Sequence, residues 1–90
     1  MNDLKTWVRG AVQSVFELKP LRNVPITQEF VVDYLFMVTL GVGNEYWSGL
    51  LHSDQKKLVN RELVRLEKEG IIETVEVPKV ISKEKFYQLR

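Results

Sequence analysis

Residues Ser53 to Arg90 read SDQKKLVNRELVRLEKEGIIETVEVPKVISKEKFYQLR, and the change of period inside this stretch decides the fold. Leu58, Val59, Leu63 and Leu66 recur at the three-and-four spacing that puts apolar side chains on one face of a helix. Gly70 follows the last turn, where a left-handed C-cap is needed, so a helix ends there. Beyond it the period shortens. Ile71, Val75 and Val77 are β-formers in a run that stops at Pro78, and a second run, Phe86 to Leu89, returns after a polar loop with three lysines. The pattern predicts a helix running directly into a hairpin, with Ile71, Val75 and Val77 on one side and Tyr87 and Leu89 facing them.

Ser53 is the predicted N-cap of that helix, and Asp54 after it adds a favourable dipole interaction. At about 100° per residue, Lys57, Arg61, Arg65 and Lys68 fall in a sector clear of the apolar one, while Glu62, Glu67 and Glu69 flank the stripe. Helical residues entering a major groove must be long polar donors, and Lys56, Lys57, Asn60 and Arg61 have the required types. Asn60 and Arg61 suit base edges; Arg65, Lys79, Lys83 and Lys85 suit phosphates. A solvated face with ion pairs accounts for the helix charges equally well, and lysines near a hairpin tip also protect a sheet edge.

The run Leu63-Val64-Arg65-Leu66-Glu67-Lys68-Glu69-Gly70-Ile71-Ile72, followed by Lys85-Phe86-Tyr87-Gln88-Leu89, resembles the end of the recognition helix and the wing of a winged helix-turn-helix domain. Repressors of the MarR and PadR type show the same L-x-x-L-E-x-x-G-[IL]-[IV] and aromatic-x-Leu pattern. The resemblance is specific over residues 58–89 and looser before them. It implies an α+β fold, one winged-helix domain over residues 1–90, with three helices and a small antiparallel sheet whose C-terminal hairpin is the wing. It also implies a transcription regulator contacting duplex DNA through helix 53–69 and wing 78–85. Such domains commonly dimerise on palindromic sites, and here the first helix with Trp7 is the candidate two-fold contact. The alternative is a protein-interaction module, an adaptor or assembly subunit on the same fold. A net charge of only +1, the four acids of the third helix and a long loop with Tyr46 and Trp47 favour that alternative.

Ninety residues suffice for one core, burying roughly two thirds of the unfolded surface. With 44% hydrophobic and 28% charged residues, the composition is that of a soluble globular chain without low-complexity segments. The absence of cysteine excludes disulfides, thiolate zinc sites and cysteine nucleophiles. Asp3, Lys5 and Arg9 leave no apolar leader, so the chain is expected to start as mature protein, and a cytoplasmic location is expected. The most apolar run, Phe30 to Leu40, is interrupted by Asp33 and is about half the roughly 20 residues a bilayer span needs. Positive charge is excluded from residues 26–52 and kept for the two ends.

Taken in order, Asn2 or Asp3 can cap a first helix in which Leu4, Trp7, Val8, Ala11, Val12, Val15 and Phe16 repeat until Pro20. Gly10 inside it suggests close packing across that point, or a tolerated defect. Leu21 to Ile26, with Pro25, reads as extended, where the resemblance places a minimal first strand paired with the wing. Thr27 then caps a second helix whose Phe30, Val31, Tyr34, Leu35, Met37 and Val38 point to burial on a broad front, its valines leaving a strand as the alternative. The stretch Gly41 to Gly49 is an insertion relative to the family. Tyr46 and Trp47 there form either a ligand surface or a plug of the core that Leu50 and Leu51 close.

Catalytic chemistry has little footing. His52 is the sole histidine, neighbours in sequence make no relay, and Gly41-x-Gly43 lacks the context of a phosphate loop. No enzyme activity, cofactor or metal is expected, and His52 reads as a helix-entry residue.

Overall fold

A computed structural model of the chain describes residues 4–38, 45–78 and 83–90. Along them run α1 (Leu4–Glu17), a 3-10 turn (Lys19–Leu21), β1 (Ile26–Thr27), α2 (Gln28–Val38), α3 (Glu45–Ser48), α4 (His52–Lys68), β2 (Ile72–Val75) and β3 (Phe86–Leu89). The described residues thus make an α+β structure of four α-helices and a three-stranded antiparallel sheet in the order β1-β3-β2. The added helix relative to the expected three is Glu45–Ser48, inside the inserted loop. Among the described residues no helix is long and apolar enough to cross a membrane.

α1 buries Val8, Val12, Val15 and Phe16, the stripe its spacing predicts. Gly10 sits on the solvent side, and a Cβ there would meet nothing within 4 Å, so the expected close packing is absent. It remains a defect costing about 1 kcal/mol relative to alanine. The candidate caps Asn2 and Asp3 lie outside the described residues. Pro20, whose fixed φ suits a first helical turn, places Lys19–Leu21 in the 3-10 turn, so the extended stretch begins later than expected. Ile26 and Thr27 pair with Tyr87 and Phe86. Thr27 Oγ1 accepts the Phe30 N–H at 3.1 Å, the predicted cap of α2.

α2 is not buried on a broad front. Val31, Val32 and Leu35 are covered because α1 and α4 pack on that sector alone, while Phe30, Phe36 and Met37 remain 40%, 43% and 61% exposed. The insertion divides similarly. Trp47 is fully buried and stacks obliquely on half-buried Trp7, ring centroids 5.7 Å apart, so Trp47 plugs the core. Leu50 packs against that core, whereas Tyr46 and Leu51 face outward and close nothing. Residues 41–44 of the insertion lie outside the described residues.

α4 is the spine of the core. Val59, Leu63 and Leu66 are fully buried, Leu58 partly so, and the helix contacts α1, α2 and β2. It begins one residue before the predicted cap. Leu51, in extended conformation, accepts the N–H groups of Asp54 and Gln55 at 3.0 Å each, so Ser53 is already helical and caps nothing. Gln55 is buried and donates from Nε2 to the Trp47 carbonyl at 2.8 Å, fastening α3 to α4.

The helix stops as predicted at Gly70, with φ of 77°. The Gly70 N–H bonds the Glu67 carbonyl and the Ile71 N–H reaches back to Leu66, the paired closure of a left-handed cap. Ile71 is spent in that cap, and its consequence is a strand face opposite to the expected one. Ile72 lies across from Leu89 and Thr74 across from Tyr87, with Ile72 and Tyr87 buried. Ile71, Val75 and Val77 therefore do not form the inward row, because a one-residue shift exchanges the two faces of a strand.

Candidate functional site

The outward face of α4, the start of α2 and the foot of β3 enclose an open groove of 440 Å³. Its lining includes Glu29, Lys56, Asn60, Glu67, Glu84 and Lys85. Lys56 and Asn60 come from the helix and Lys85 from the hairpin, so two of the predicted cationic side chains and the predicted amide share one groove. Sequence reading missed the three carboxylates beside them. Their separation along the chain carries no signal that they meet.

The predicted contact residues separate into three groups. Lys57, Asn60 and Arg61 are exposed on α4, and Lys83 and Lys85 are exposed where the chain returns into β3. Lys57, Arg61, Lys83 and Lys85 form no ion pair with any described residue. Lys56 is engaged instead: its Nζ lies 3.1 Å from Glu29 Oε2, and its carbonyl accepts from Gln28 Nε2. Lys79 lies outside the described residues.

Arg65 departs from its expected role. Its Nε donates to Glu62 Oε1 at 2.8 Å and its Nη1 to Glu69 Oε2 at 2.7 Å, and its side chain is only 22% exposed. The bond to buried Glu62 is the leading reason its guanidinium titrates above the ordinary range. Such a guanidinium neutralises a carboxylate that would otherwise be buried alone. Pairs at spacings of three and four along a helix meet, which is the signal by which Arg65 could have been placed with Glu62 and Glu69.

Outside the groove lining, His52 opens α4 as a helix-entry residue, its Nε2 3.1 Å from Glu29 Oε1. Glu29 thus carries Lys56 on one oxygen and His52 on the other, and these two partners, Lys56 first, hold its carboxyl below the usual range. Glu67 of the lining accepts from Thr74 Oγ1 at its Oε2, joining α4 to β2. Burial first, and the Glu67 charge second, push the Tyr87 phenol above its ordinary 10.0. Ion pairs and a hydrogen bond therefore fix Glu29 and Glu67 of the lining, while Asn60 and Lys85 beside them are exposed. No family model, curated protein or solved structure matches this chain.

Proposed function

We propose that the chain is a winged helix-turn-helix domain that regulates transcription by binding double-stranded DNA through the outward face of α4 and the hairpin between β2 and β3. The succession of α1, β1, α2, α4 and hairpin, with β3 central in the sheet, supports the fold part of this reading. One observation carries the binding part. Lys57 and Arg61, one turn apart, are exposed and hold no carboxylate among the described residues, whereas Lys56 and Arg65 do. Cations without a carboxylate partner keep their full charge for phosphates. Asn60 supplies an amide of the type that bonds an adenine edge, and Lys83 and Lys85, with Lys79 by its place in the sequence, hold the adjoining backbone.

Fluorescence anisotropy with a random duplex at two salt concentrations tests the reading. Weak association that fades as salt rises is expected, and Lys57→Glu with Arg61→Glu abolishes it while far-UV circular dichroism is unchanged. Absence of binding at low salt, or binding indifferent to the double charge reversal, overturns the assignment. The second reading, a protein-interaction module on the same fold, is favoured by Phe30, Phe36 and Met37 on the open side of α2 and by the carboxylates of the groove. It takes over if the duplex is not bound.

A further inference from the structure

Glu29 and Asp33 are one turn apart on α2, and His52 is the first residue of α4. One potential ligand atom from each, two carboxylate oxygens and an imidazole nitrogen, all lie within 4.8 Å of one another. Two of these groups already touch, since His52 Nε2 is 3.1 Å from Glu29 Oε1. Lys56 sits on the other Glu29 oxygen, so a cation bound at Glu29 Oε1 would replace the direct His52 contact with a shared ion and leave Lys56 in place. Asp33 and His52 are exposed and Glu29 is half-exposed, which lets all three side chains rotate.

We propose that Glu29, Asp33 and His52 form a divalent transition-metal site of the zinc type, joining the start of α2 to the first turn of α4. The donor set argues for that class. An imidazole with carboxylates suits zinc, cobalt or nickel, whereas magnesium and calcium take oxygen ligands. Ligand atoms around tetrahedral zinc sit roughly 3.3 Å apart, given bonds of about 2.0 Å, so the three groups need to close by rotation without backbone movement. Two carboxylates and a neutral imidazole balance the ion's charge, and water completes the shell on the exposed side. The site's existence does not depend on the duplex reading, because binding of the metal is measured directly.

The untagged full chain titrated with cobalt(II), and separately with zinc by calorimetry, tests the site. Saturation at a single equivalent, with a visible cobalt band that zinc bleaches and magnesium does not, is expected. His52→Ala and Asp33→Asn each weaken zinc binding by roughly tenfold or more, at least the loss that follows removal of an outer-shell partner. Both variants alter only exposed side chains, and circular dichroism establishes that they remain folded. Absence of saturable cobalt and zinc binding overturns the proposal, as does binding that survives both substitutions in folded protein.

Discussion

Gly70 is the residue on which the helix becomes the hairpin. A Cβ there would lie 3.4 Å from Arg90 Nη1, an ordinary contact, so the obstacle to any other residue is the φ of 77° rather than space. Gly70→Ala is expected to lose about 1–2 kcal/mol, seen as a lower urea midpoint with an unchanged slope. Tyr87 makes a different prediction. Its phenol ionises at higher pH in the folded chain than in the unfolded one, whose ordinary value is 10.0. Above that pH the unfolded state releases the proton first, so stability falls as pH rises toward the folded value. Tyr87→Phe removes that share of the alkaline loss, which denaturant titrations at a series of pH values would measure. Gly70 was legible in the sequence because glycine after a helical stripe has a single common reason to be there. The ion pairs of Arg65 were not legible in the same way: its place on the wheel matched Lys57 and Arg61, its spacing from Glu62 and Glu69 matched ion pairing, and the wheel alone does not rank the two.

Among the elements, the short helix Glu45–Ser48 has the largest effect for its length. Trp47 brings a whole indole into the core, and the backbone carbonyl of the same residue holds Gln55 of α4. Trp47→Ala is expected to cost about 3–5 kcal/mol, whereas Leu51→Ala, at a residue 71% exposed, should stay within about 0.5 kcal/mol. Thermal melts of the two variants side by side provide the check. The run Gly41 to Gly49 gave two readings for its aromatics, and Trp47 and Tyr46 divide between inside and outside. α2 shows why burial is harder to read than helicity. Its apolar residues lie around much of the wheel, so the neighbours that cover Val31, Val32 and Leu35 decide what is core, and those neighbours are remote in sequence. The strand face failed for a local reason, since Ile71 reads as a β-former but is used by the cap.

For the molecule as a whole, a formal charge of +1 leaves little long-range attraction for a polyanion, so any duplex affinity must come from a few placed cations. If Lys57, Arg61, Lys83 and Lys85 each meet one phosphate, the logarithm of the binding constant should fall against that of salt with a slope of about −3 to −4. Lys83→Gln with Lys85→Gln should reduce that slope by about 2, read from anisotropy at several salt concentrations. The order of elements from α4 onward was legible because period and punctuation coincide there. The composition of the groove was not, since Glu29, Glu67 and Glu84 meet only after the chain has folded back on itself.

The sheet order also governs how the protein is made. The middle strand, β3, is the last of the described elements to leave the ribosome, while β1, which needs it, emerges before it and waits unpaired until β3 has been made. An edge of two residues is too short to recruit a neighbouring nascent chain during that wait, so brevity protects synthesis until the closing strand arrives.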